Sequence, residues 1–317
     1  MEAKAPIKKF PSYLKLITYC LVTAITALFT LLLGYLLVVL IFGPDALKEL
    51  SNLNNLTNPL SLSLSKFMQI VSQLGLFVFP PLLFAMMANR NAFDYLTLNR
   101  RPKAFSFLLS ILILFAATPF INWTVEMNGM MHLPAFLSDV EKWMRSSEDL
   151  TAKVTQAYLN VNTVQGLVLN IFMIGVLPAI GEEFVFRGVL IRLFKEWLKN
   201  CHVAVILSAI IFSAIHFQFY GFLPRFLLAV LFGYLFIWTK SLWVPIVAHF
   251  INNTTTVIIA YCTNKGKAPS PMDTFGTADG EWVWILISLI FVLLMLALIY
   301  KREQATNDCL LEPKQNP

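Results

Sequence analysis

Long uninterrupted apolar runs set the terms for any fold this chain can adopt. Leu16–Phe42 contains no charged residue, and comparable runs recur along the chain to the last, Trp282–Tyr300. A helix needs about 20 apolar residues to cross the hydrocarbon of a bilayer, and the longer runs reach that length. They are continuous, without the alternation a barrel strand requires, which excludes an outer-membrane barrel. Only 13% of the residues are charged and 57% are hydrophobic, against roughly 25% charged in a soluble domain. The mean hydropathy is +0.69. The expected fold is all-α: one polytopic membrane helix bundle over residues 1–317, with about eight transmembrane helices.

The spans expected from the runs are Leu16–Phe42, Phe67–Ala88, Ala104–Ile121, a stretch from Val161 whose helical pattern hardly stops before Asn200, Val203–Phe219, Pro224–Trp238, Leu242–Tyr261 and Trp282–Tyr300. Pro80-Pro81 predicts a kink or a split in the second. The fourth is longer than one crossing, so it either projects from the membrane or breaks near Pro178–Gly181. Residues 122–160 form an extramembrane loop. Within it, Pro134–Arg145 reads as an amphipathic helix with Ser138 as its candidate cap, and a helix resting on the membrane is favoured over a substrate-side lid.

Charge orients these spans. Lys4, Lys8, Lys9 and Lys15, then Arg90, Arg100, Arg101 and Lys103, then Arg192, Lys195 and Lys199, and finally Lys301 and Arg302 all fall on one face. The opposite loops hold the acidic 122–160 segment and Asp273, Asp279 and Glu281. Basic loops stay cytoplasmic, so both termini are expected there, in a multi-pass protein of the cell's inner membrane. The net charge of +6 is loop charge of this kind and implies no nucleic-acid partner. The first apolar run is longer than a signal-peptide core and reads as a retained span. Cys20, Cys201, Cys262 and Cys309 show neither metal-ligand spacing nor a disulfide framework.

Against this background, polar residues inside the spans stand out. Glu182, Glu183 and Arg187 lie in P-A-I-G-E-E-F-V-F-R-G-V-L-I, and a charge at hydrocarbon depth costs roughly 2.5–3.5 kcal/mol at a helix centre. Glu183 and Arg187 are i,i+4 on one helical face and read as a salt bridge, which leaves Glu182 without a local partner. His216 and His249 also fall within expected spans, whereas His132 lies in the polar loop and His202 at an interface. F-S-A-I-H sets Phe212 and His216 four apart, and H-F-I-N-N does the same for His249 and Asn253, with Asn252 at i+3. If the three helices meet, Glu182, His216, His249 and Asn253 can converge on a polar cavity. Glutamate and histidine activate water, and imidazole and amide groups donate to an oxyanion. Three other readings stay open. One is a metal-assisted version in which Glu182, His216 and His249 hold zinc, although H-E-x-x-H is absent. The second is an ion- or proton-coupled transporter, although no repeated halves with interrupted helices are visible. The third is a purely structural trio.

The three motifs E-E-F-V-F-R (Glu182–Arg187), F-S-A-I-H (Phe212–His216) and H-F-I-N-N (His249–Asn253) resemble, in order, those of the CPBP family of intramembrane proteases, the CAAX-protease and bacteriocin-processing (Abi-type) group. The resemblance covers residues 161–261, which would be the catalytic core. It implies an endopeptidase acting on membrane-associated peptides or proteins. Glu182 would be the general base, with His216 sharing the attacking water. His249 and Asn253 would form the oxyanion site, Glu183 and Arg187 would orient the helix, and Phe212 would pack beside the site. A metal-independent glutamate mechanism is favoured, with no cofactor. A zinc enzyme and a non-proteolytic bacteriocin-immunity or binding protein are the alternatives.

Overall fold

The computed structural model describes residues 6–50, 56–89, 91–266, 275–278 and 280–303. Lys4, Arg90, Asp273, Asp279 and Cys309, which entered the charge and cysteine readings, lie outside them. The described residues are helical and contain no strand. Apart from two short helices, Ala46–Leu50 and Ala92–Tyr95, the α-helices are α1 (Ser12–Phe42), α2 (Pro59–Ala88), α3 (Ala104–Gly129), α4 (Ser138–Leu159), α5 (Val164–Leu198), α6 (Cys201–Ala214), α7 (Phe222–Thr239), α8 (Trp243–Asn264) and α9 (Trp282–Glu303). Seven of these are long and apolar enough to cross a membrane. The exceptions are α4, which is polar, and α6, which has only 14 residues.

The short α6 still turns the chain round. At one end of the bundle, Lys15 at the start of α1 pairs with Glu196 near the end of α5 at 2.7 Å. Lys103 before α3 pairs with Glu303 at the end of α9 at 3.1 Å. Trp243 Nε1 at the start of α8 donates to Leu98 O at 2.8 Å, and Ser241 Oγ just after α7 donates to Arg100 O at 2.8 Å. At the other end, Asn264 Nδ2 donates to Leu159 O and Asn128 Nδ2 to Phe219 O. The seven long helices and α6 therefore alternate in direction, and the basic clusters among the described residues gather at one end.

Several details differ from the sequence expectation. Helix α3 does not stop at Ile121. Its last turns run on past Pro119 to Gly129, because the polar side chains there reach loops instead of ending the helix, as when Asn122 Nδ2 donates to Phe275 O at 3.0 Å. The expected extramembrane loop is shorter for it. The amphipathic segment becomes the 22-residue α4, and Ser138 is not its cap: Leu137 holds that position, without a side-chain hydrogen bond. Cys20 and Cys262 are free thiols.

Neither proline site splits its helix. In α2 a widened π-helical turn, Leu74–Val78, precedes Pro80-Pro81. In α5 another, Ile171–Val176, precedes Pro178, and a third, Phe184–Leu190, follows the glutamates. Proline returns no N–H to the carbonyl four residues back, and a local change of hydrogen-bond register absorbs that loss. Both helices thus stay continuous. They meet closely at Gly181, where a Cβ would come within 2.8 Å of Phe77 Cβ and 3.2 Å of its carbonyl carbon. That contact backs the glutamates with α2. Around them packs the main apolar core, with Phe184, Phe186, Val189, Val205, Phe212 and Phe236 among its members.

Candidate active site

Two helices bring the charged residues together. Glu182, Glu183 and Arg187 project from the middle of α5, and His249 comes from the second turn of α8. All four are buried, Glu183 completely. Arg187 NH1 donates to Glu183 Oε1 at 2.8 Å, and Arg187 NH2 donates to the carbonyl of Ala229 on α7 at 2.9 Å. The i,i+4 salt bridge read from the sequence is present, and it also ties α5 to α7. Its guanidinium lies over the rings of Phe212 and Phe232, 5.1 and 5.5 Å from their centroids. A desolvated cation between aromatic faces gains from their quadrupoles.

His249 bridges the two glutamates. Its Nδ1 is 2.9 Å from Glu183 Oε1, and its Nε2 is 3.8 Å from Glu182 Oε2, too long for a direct hydrogen bond. A carboxylate oxygen accepts, so Nδ1 carries the proton and Nε2 faces Glu182. Phe232 stacks on the imidazole, with centroids 5.5 Å apart. His216 follows the same rule. Its Nδ1 lies 2.7 Å from the carbonyl of Phe212, which can only accept, so the neutral ring presents an unprotonated Nε2. It sits in the turn just after α6 and not within a span, because α6 stops at Ala214. Phe212 neighbours both imidazoles, with centroids 5.0 Å from His216 and 6.3 Å from His249.

Asn253 is placed differently from the other candidates. Its Nδ2 donates to Ile174 O at 3.0 Å, and its Oδ1 accepts from Asn252 at 3.2 Å. Ile174 lies four residues before Pro178, so this amide takes up the carbonyl that the proline cannot serve. The bond also holds α8 against α5. Among the described residues, no three His, Cys, Asp or Glu side chains group as a metal site. Glu182, His216 and His249, the ligands of the zinc alternative, are not gathered into such a group.

Sequence reasoning passed over three contributors. Ala229 offers only a carbonyl and has no sequence signal. Phe232 looks like any apolar residue of α7. Arg225 did carry a signal, as the one charged residue in the apolar stretch Phe222–Thr239. Its guanidinium holds Gln218, two residues after His216. Glu183 Oε2 is a buried acceptor without a hydrogen-bond partner, its other oxygen taking both Arg187 and His249.

The stretch that holds this geometry can be compared with known proteins. Residues 164–255 match the Rce1-like family, described as type II CAAX prenyl endopeptidase Rce1-like. The resemblance drawn from the three motifs is shown over this segment, which contains all of them. The chain is 33% identical over 105 residues to the "Putative membrane peptidase YdiL" of Bacillus subtilis, covering 33% of this chain and 42% of that protein. It is 36% identical over 94 residues to the "Membrane-embedded CAAX protease MroQ" of Staphylococcus aureus, covering 28% and 38%. An uncharacterized protein of B. subtilis, YpbD, is 33% identical over 86 residues, 26% of this chain and 41% of that one. The matches thus span about two fifths of each relative's length. No solved structure matches the chain significantly. The chain is thus a polytopic helical membrane protein in which residues 164–255 are similar to the Rce1-like family.

Proposed function

We propose that this protein is an intramembrane endopeptidase of the CAAX/Abi type, with residues 161–261 as its catalytic core, acting on membrane-associated peptides or proteins. The observation that carries the reading is the buried His249, held by Glu183 on one nitrogen and facing Glu182 with the other. Glu182 has no strong partner of its own, which suits a base. In the proposed reaction it takes a proton from water, the water oxygen attacks the scissile carbonyl carbon, and the carbon–nitrogen bond breaks. The proton then passes to the departing amine. His216 accepts from the same water through its free Nε2. His249 stands at the developing oxyanion, where it must donate from Nε2. Asn253 serves that site with the amide hydrogen left over from Ile174. Glu183 and Arg187 fix the direction of His249. Groups positioned in this way act without reorganising during the reaction.

In the same reading no metal or other cofactor takes part, and both termini lie in the cytoplasm, in the cell's inner membrane. The test is cleavage of candidate membrane peptides by purified wild type and Glu182→Ala. Loss of turnover by a factor on the order of 10²–10⁴ is expected for removal of a general base. Equal cleavage by both proteins would sink the assignment. Elemental analysis of the active preparation checks the chemistry independently: stoichiometric zinc that is required for turnover would replace the glutamate mechanism with a metal one.

A further inference from the structure

Immediately after His216 the backbone is strained. Phe217 has φ 52°, the left-handed region that a bulky side chain occupies only where its surroundings over-determine it. Here they do, residue by residue. Phe217 O accepts from Ser147 Oγ at 2.9 Å, and Phe219 O accepts from Asn128 Nδ2 at 3.1 Å. Tyr220 N donates to Glu148 Oε2 at 3.1 Å. Gln218, in the middle, is held from α7: Arg225 NH2 donates to its Oε1 at 2.6 Å, and NH1 reaches its main-chain carbonyl at 3.4 Å. Four consecutive residues are therefore pinned from three separate helices, and His216 sits at the head of the turn.

Of these pins, Arg225 is the one on α7, the helix that also receives Arg187 at Ala229 O. It holds the residue two places after His216, and it is forked, so one side chain can hold both the amide and the backbone of Gln218. We infer that Arg225 is a positioning residue for His216, gripping Gln218 so that the imidazole keeps one tautomer and one direction toward Glu182. The inference rests on the proposed role of His216. It adds that the turn, and through Ser147 and Glu148 the amphipathic α4, belongs to the apparatus that aims it.

The experiment uses the full-length protein in detergent, with Arg225→Lys, Arg225→Ala and Gln218→Ala. Two readouts are taken: kcat and KM on a peptide that the wild type cleaves, and the ¹⁵N imidazole spectrum at one fixed pH, with His216 assigned by its loss in His216→Gln. Misaiming a reacting group by about 1 Å lowers turnover by up to about a hundredfold. Arg225→Ala and Gln218→Ala are expected to lower kcat on the order of tenfold or more, with KM changed by less than about threefold. Arg225→Lys, which keeps the charge without the fork, should fall between Arg225→Ala and wild type. The wild-type spectrum should show His216 protonated on Nδ1 alone, and the Ala variants a mixture of the two tautomers. Wild-type kcat in Gln218→Ala and Arg225→Lys, or an unchanged His216 signal in both, would overturn the inference. The spectrum needs no substrate, so a protein that cleaves nothing would defeat the protease reading while the positioning of His216 is still decided.

Discussion

At the scale of single residues, the site is organised around one fully buried carboxylate. Glu183 takes Arg187 and His249 on the same oxygen, so removing either partner leaves charge in a dry interior. Breaking a buried ion pair from one side costs about 3–5 kcal/mol, more than the pair itself contributes. Arg187→Met should therefore destabilise the protein by about that much, read as a lowered unfolding temperature in detergent, and a melt within a degree of wild type would contradict it. The Glu183–Arg187 bond was legible in the sequence, since i,i+4 spacing on an apolar helix admits few other readings. The Glu183–His249 bond was not. Two adjacent glutamates offered His249 two partners, and only the crossing of α8 over α5 decides which one takes Nδ1. Asn253 shows the same limit: its motif position suggested an oxyanion donor, and its bond to the carbonyl opposite Pro178 depends on a contact that spacing cannot express.

At the scale of elements, the two proline-bearing helices and the amphipathic α4 carry most of what hydropathy could not foresee. Hydropathy measures contact with lipid, so it ended α3 at Ile121 although the helix continues on side chains that bond to loops. It placed α4 on the membrane surface and did not find its contacts beneath. Those contacts include a buried latch: Lys66 Nζ of α2 donates to Tyr158 O at 3.1 Å and to Asn170 Oδ1 at 3.3 Å. A cation at the last carbonyls of a helix is favourably placed against its dipole. The other end of α4 is fastened by Glu141, which receives Arg145, the backbone N–H of Leu133 and His132. The hydrogen bond from Arg145, before the other two, holds this carboxyl down at about 2 instead of 4.5. A lowered folded-state pKa adds stability above the unfolded value and loses it as pH falls toward the folded one. The N-terminal end of α4 should thus stay docked at neutral pH and loosen progressively between about pH 4.5 and pH 2, seen as rising hydrogen exchange there. In Glu141→Gln the exchange should already be raised at neutral pH, and identical profiles for the two proteins would refute the role of this carboxylate.

At the scale of the whole molecule, the alternation of helices was legible almost entirely, because basic clusters and apolar runs both report on the bilayer. The one doubtful crossing was the fifth, which the sequence drew as a full span and the structure draws as 14 residues. The direction of every later helix depends on it. Orientation is open to a direct check: a cysteine at Lys142 on α4 should react with an impermeant maleimide on intact cells, and one at Lys9 only after permeabilisation. The reverse pattern would invert the proposed topology.

The short α6 has a further consequence. At 1.5 Å per residue it rises about 21 Å, against a hydrocarbon thickness of about 30 Å. The shortfall is about 9 Å, and His216 sits in the turn at the α4 end of this helix. Lipid chains cannot fill it without thinning, since a hydrophobic mismatch of this size strains the surrounding leaflet. A dimple in the membrane at this spot would bring the aqueous phase down to the level of the imidazole. The proposed hydrolysis needs water as well as a base, and a helix two turns short of a full span would supply it by geometry alone.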